Sequence, residues 1–170
     1  MRPLLTLNRK REKRNHMYMI LIIGLVVVLD QLTKFLIQSN MELGQSIGVF
    51  ENFFHITYIH NYGAAFSIFE NQRVLLVVLP LLIMGGILIA FVKMGLSANK
   101  ICATALGLVV AGGIGNLIDR VAYGYVVDFL DFRVFPIFNV ADMAVCCGCG
   151  LLILYVFFIE PKQDKGQTNV

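Results

Sequence analysis

Acids sit inside the most apolar stretches of this chain. Asp30 lies within residues 17–37 and Asp142 within residues 137–159, while Asp119, Asp128 and Asp131 gather at the outer edge of a third apolar run. An ionised carboxylate in hydrocarbon is costly, so an acid placed there marks a functional site by default. Two carboxylates facing each other in a dry site hold one shared proton, because both cannot ionise at close range. Such a pair can activate a water and protonate a leaving amine, and its titration belongs to the pair. Asp142 is the strongest single candidate. It follows Asn139 by one helical turn, and no Lys or Arg lies within 137–159 to neutralise it. For its partner the residues leave three candidates open. Asp119 has Arg120 beside it, Asp128 follows a strand-like apolar run, and Asp131, three residues on, reads as exposed.

Other polar residues recur at helical spacing. Asp30 and Lys34 are i,i+4, acid first, and so share a face and can pair. Gly107, Ala111, Gly115 and Asp119 form a small-residue seam that admits a neighbouring backbone. Asn116 and Arg120 make a second i,i+4 pair on an adjacent face. Helix–helix bonding and ordering of the outer loop account for each of these as well as chemistry does. Nucleophilic catalysis is poorly supported. Ser46 and Ser67 lack a base, and His55 and His60 fall in a strand-like segment where a hydrogen-bonded His is the common case. Cys146 and Cys149 have CxxC spacing, but no His is near, and reduced packing cysteines are the expectation for them, for Cys147 and for Cys102. No phosphate loop and no HExxH zinc motif occurs, so neither cofactor nor metal is expected.

The elements that must position these residues are membrane spans. Of 170 residues 58% are hydrophobic and 15% charged, and mean hydropathy is +0.75. The apolar residues form runs at 17–37, 74–92, 101–118 and 137–159. A bilayer core of roughly 30 Å takes about 20 helical residues. A soluble core of this composition would need amphipathic helices to cover it, and none is left over. Six basic residues precede the first run, from Arg2 to Arg14. Lys93 and Lys100 flank the link between the second and third runs, and Lys162 and Lys165 follow the fourth. Positive-inside bias then puts both termini in the cytoplasm. The net charge of +3 reflects this asymmetry. No basic stripe with interleaved aromatics occurs, so no nucleic acid is expected. The first run continues through 30–34 without a small-residue cleavage site and reads as retained.

Residues 1–16 read as a basic, flexible tail, 17–160 as the membrane domain, and 161–170 as a polar tail that Pro161 separates from the last helix. The outer segments carry the remaining structure. Residues 50–61 are rich in aromatic and β-branched types and read as strand, as do 125–127. Asn61 to Gly63 read as a turn and 64–69 as a short surface helix. The expected fold is membrane α-helical: four spans carrying a small extracytoplasmic β element and a surface helix between spans one and two.

These residues resemble bacterial signal peptidase II, the lipoprotein signal peptidase family. The resemblance rests on five blocks in order: 30–34 (DQLTK), 61–67 (NYGAAFS), 112–120 (GGIGNLIDR), 126–129 (VVDF) and 135–142 (FPIFNVAD). It covers the chain from the first span to the fourth. Met143 stands where many relatives carry Ser. The resemblance implies an aspartic endopeptidase of the cytoplasmic (inner) membrane, with its site near the extracytoplasmic face. It would cut prolipoproteins just before a diacylglyceryl-modified cysteine, without cofactor or metal. By motif match the catalytic pair is Asp128 and Asp142. Asp30, Lys34, Asn61, Gly63, Asn116, Arg120 and Asn139 match positions that order the site or contact substrate. The implied partners are the lipidated substrate and membrane lipid, with the chain a monomer. The rival class is a proton-coupled transporter using Asp30, Lys34 and Asp142 as a relay. It would want polar residues through the bilayer depth, on broken helices or repeats, whereas here the acids gather on one side.

Overall fold

A computed structural model describes residues 2–50, 53–63, 72–93 and 99–159, with backbone alone for 2–9 and Val92. Four helices carry the chain: α1 (Arg2–Asn40), α2 (Arg73–Lys93), α3 (Lys100–Ala122) and α4 (Val140–Leu154), the last extended by a wider π turn, Tyr155–Ile159. Each contains a stretch long and apolar enough to cross a bilayer, so the expected four-span architecture is present. α3 is the central pillar. Its apolar stretch is 56% buried, against 11–17% for the others, and it packs against α1, α2 and α4.

Glycines let the helices close on this pillar. A Cβ at Gly115 would lie 2.5 Å from Asp30 Oδ2 and 3.1 Å from Ala141 Cβ, and one at Gly112 would strike the Ala141 carbonyl. Gly148 of α4 gives the same clearance to the Ala105 carbonyl, 2.7 Å from where its Cβ would be. The expected seam on α3 is therefore real, and both α1 and α4 approach along it.

Three strands, β1 (Ser46–Phe50), β2 (Phe54–Asn61) and β3 (Val126–Asp131), form an antiparallel sheet in the order β1-β2-β3. Ile47 pairs with Ile56 in the first ladder; His55 pairs with Asp131 and Asn61 with Val126 in the second. The register slips between Ile56 and Ile59. Such a bulge re-aims the side chains beyond it.

Several boundaries differ from the sequence expectation. The basic segment is helical from Arg2, because Arg, Lys, Leu and Glu are good helix formers and nothing after Pro3 breaks the run. At 39 residues α1 is roughly 58 Å long, well beyond a bilayer core. α4 begins at Val140 because Asn139 caps it, accepting the Asp142 N–H at 3.0 Å. The strand expected at 50–61 is β2, which starts at Phe54, and a strand that was not expected, β1, precedes it. The surface helix expected at 64–69, Ser67, most of the 93–100 turn and the 161–170 tail lie outside the described residues.

Candidate active site

β3 brings Asp128 to the end of the bundle that carries the sheet, only 1% exposed. Asn61 stands diagonally across the ladder and donates its Nδ2 to Asp128 Oδ2 at 2.8 Å. Its own Oδ1 accepts the Gly63 N–H at 2.9 Å, which fixes the turn that follows. The other Asp128 oxygen accepts Asn139 Nδ2 at 2.6 Å. Asp142 is the third residue of α4. Its Oδ2 accepts the Asn139 backbone N–H at 3.1 Å and its Oδ1 accepts Asn116 Nδ2 at 2.7 Å. Asn139 is therefore bonded to both carboxylates at once, with its side chain to one and its backbone to the other. Burial, and then the negative charge of Asp142, push Asp128 up to about 7, against a downward pull from Asn61, Asn139 and Lys34. A carboxyl in that range can hold a proton at neutral pH and still release it.

A buried charge cluster underlies the pair. Lys34, 2% exposed, contacts Asp30 Oδ2 at 2.9 Å and Asp119 Oδ2 at 3.0 Å, and donates to Asn116 Oδ1 at 3.0 Å. Three partners match the three N–H bonds of an ammonium. Asp30 accepts the Ala141 N–H at 2.9 Å, one of the donors a helix start leaves unpaired. Asp119 accepts the Val127 N–H at 3.1 Å, next to Asp128. The Asp30–Lys34 pair expected from spacing is thus present, and it joins α1, α3, α4 and β3. Asp119 pairs with Lys34 and not with neighbouring Arg120. Arg120 instead donates Nη2 to the Gly63 carbonyl at 3.0 Å, while its buried Nε has no acceptor among the described residues.

Two expectations need correction. Asp131 is not exposed but 5% accessible. It accepts Thr57 Oγ1 at 2.8 Å and the Arg133 N–H at 2.9 Å, away from Asp142. Three residues along a strand place it on the face opposite Asp128. Cys146, Cys147 and Cys149 are exposed free thiols and do not pack; Gly148 makes the close approach between them. Cys102, 1% exposed, does pack. His60 bonds Tyr58 and stacks on Tyr125 at 3.6 Å, and His55 accepts from Arg133, as expected of structural histidines. Ser46 bonds Thr57.

The sequence reading missed Gln31, whose Nε2 donates to Asp119 Oδ1 at 3.0 Å and to the Gly115 carbonyl at 3.2 Å. A polar side chain in an apolar run was the available signal. It also missed Arg73, which caps α3 by donating to the Arg120 and Val121 carbonyls. An apolar groove of ≈ 750 Å³ opens beside Asp142, lined by Phe53, Phe132, Phe138, Met143, Cys146 and Cys147 among others.

The family model of Signal peptidase (SPase) II matches residues 22–158. The chain belongs to the signal peptidase II family. It is 42% identical over 144 residues to the lipoprotein signal peptidase of Halothermothrix orenii, covering 85% of this chain and 98% of that one. To that of Brevibacillus brevis it is 45% identical over 151 residues, covering 88% and 100%. Among solved structures it is similar to a bacterial membrane enzyme determined by the in meso method at 2.3 Å resolution. The TM-score is 0.78 and the identity 36%, over 82% of this chain and 87% of that one. The family expected from the five blocks is thus the family found. As a signal peptidase II the chain is a multi-pass membrane protein and a peptidase. Every motif residue singled out above falls within the matched segment.

Proposed function

We propose that this signal peptidase II is an intramembrane aspartic endopeptidase that removes signal peptides from diacylglyceryl-modified prolipoproteins, cutting before the lipidated cysteine. The observation that carries the mechanism is the joining of Asp128 and Asp142 through Asn139, with Asp128 buried and held near neutrality. One proton between them suffices to activate a water and to protonate the departing amine. The lipoprotein substrate comes from the names of the relatives. The setting agrees with it, because an apolar groove opens beside Asp142 among lipid-facing helices, where acyl chains would lie. Asn61 and Arg120 fix the backbone at Gly63; Asp30, Lys34, Asn116 and Asn139 order the pair. The basic Arg2–Arg14 segment favours both termini in the cytoplasm and the pair at the outer face of the inner membrane. The enzyme acts as a monomer.

The test compares initial rates on a lipidated prolipoprotein and on the same precursor without diacylglycerol, in one detergent, with the cut located by mass. Asp128→Asn and Asp142→Asn are expected to insert normally and to lose cleavage. Equal rates on the two precursors would overturn the substrate assignment. Near-normal turnover by either variant would overturn the pair.

A further inference from the structure

The two carboxylates joined by Asn139 do not stand in equal surroundings. Asp142 lies in the first turn of α4 and accepts a backbone N–H there, at the positive end of a helix. Its second oxygen accepts Asn116 Nδ2 at 2.7 Å, and the Oδ1 of that same amide accepts Lys34 Nζ at 3.0 Å. Lys34, itself paired with Asp30 and Asp119, thus reaches Asp142 through a single amide, and hydrogen bonds in series polarise one another. Asp128 lies on a strand, which has little dipole, and its donors Asn61 and Asn139 are neutral. Among the described residues the other charged groups packed around the pair are hydrogen-bonded, except that Arg120 Nε is left without an acceptor and the Arg120 charge faces both carboxylates. Asp30 of α1 and Asp119 of α3 close on Lys34, and Arg120 of α3 donates to the Gly63 carbonyl. On β2, His60 stacks on Tyr125.

We propose that Lys34, acting through Asn116, is a positioning residue that holds the negative charge on Asp142, making Asp142 the base and Asp128 the acid of cleavage. This rests on the pair of the preceding section. Water oxygen bonds to the scissile carbonyl carbon, and its proton passes to Asp142. The carbonyl π electrons move to oxygen, which takes the Asp128 proton. On collapse the C–N bond breaks and the amine leaves with the proton from Asp142. One hydroxyl returns its proton to Asp128 as the C=O re-forms, so the pair ends as it began.

The test labels the full chain in micelles with an aryloxy epoxide, which ionised carboxylates open, and with a diazoketone, which esterifies protonated carboxyls with loss of N₂. Sites are read by mass. The epoxide is expected on Asp142 and the diazoketone on Asp128. In Asn116→Leu, epoxide incorporation at Asp142 at pH 6 should fall about tenfold, the worth of one hydrogen bond to a charged group, and recover at pH 8. Lys34→Gln should behave likewise and Lys34→Arg should retain the wild-type pattern; if Lys34→Gln does not fold, Asn116→Leu decides. A merely structural role for Asn116 predicts a lower kcat with unchanged labelling at every pH, and that result overturns the proposal. Reversed labels, or both reagents on one residue, also overturn it. Inactive Asp128→Asn and Asp142→Asn with reversed labels overturn the charge assignment alone, whereas full activity in either overturns the pair itself.

Discussion

Replacing Asp128 by Asn should abolish cleavage and, at alkaline pH, stabilise the fold. Burial and the Asp142 charge lift Asp128 from 3.8 to about 7. A group raised on folding stabilises the native state while protonated, so its contribution is complete below its unfolded value near 4 and is lost as pH rises through 7. At about 1.36 kcal/mol per unit, the loss is on the order of 4 kcal/mol, of which about 3 kcal/mol falls between pH 5 and pH 8. Asn cannot ionise and escapes this. It does set one NH₂ against a donor, Asn61 Nδ2 or Asn139 Nδ2, at a cost of about 1–3 kcal/mol. The two forms should therefore be near parity at pH 5, with the variant ahead by about 1–3 kcal/mol at pH 8. For a chain of this length that change in offset is roughly 6–12 °C in Tm. The chain has no Trp, so unfolding is best followed by circular dichroism of the helices on heating in detergent. An offset between wild type and Asp128→Asn that is the same at both pH values would refute the placement of a charge-averse carboxyl at Asp128.

Gly115→Ala should lower Tm, since its methyl would lie 2.5 Å from Asp30 Oδ2 and overpacking costs about 1–3 kcal/mol; Gly24→Ala, with nothing within 4 Å, is the neutral control. A bulky, membrane-permeant maleimide should attach to Cys146 and Cys147 in the groove beside Asp142 and slow cleavage, while leaving Cys102 unmodified. Cys146→Ala with Cys147→Ala should retain activity and keep it in the presence of the reagent, with intact mass showing no adduct beyond that on Cys149. A chelator should leave the cleavage rate unchanged, because in the proposed mechanism the paired carboxylates activate the water themselves; loss of activity restored by zinc would sink that mechanism.

The spans were legible because hydropathy alone specifies them. Their ends were not, since an end is set by caps and propensity. Asn139 starts α4 three residues later than the apolar run does, and the charged 2–14 segment continues α1 because nothing breaks it. β1 carries too little signal to be seen: its five residues are all exposed, and Gly48 sits at their centre. At the site, most polar residues within the apolar runs stood out, Gln31 excepted, but partners did not, because they depend on register and on helix rotation. Asp119, Asp128 and Asp131 could not be separated by composition. Extending β3 from Tyr125 to Asp131 would have separated two of them, since residues 128 and 131 fall on opposite faces of a strand. That Asp119 belongs to Lys34 follows only from the packing of α1 on α3.

Packing and chemistry are one arrangement here. Buried ion pairs are weak contributors to stability, and apolar replacements of similar volume are often neutral or better. The cluster of Lys34, Asp30 and Asp119 is therefore poorly explained as a stabilising device. Its geometry explains it better. Asp30 can accept the Ala141 N–H only because Gly115 leaves room for its carboxylate between α3 and α4, and Ala141 precedes Asp142. Asp119 accepts the Val127 N–H, and Val127 precedes Asp128. Each flanking acid thus holds the backbone one residue before a member of the pair, and Lys34 ties the two acids together. A single buried cation so fixes the start of α4 relative to the end of β3. Two carboxylates carried by different elements need such a constraint to stay bonded to one residue, Asn139.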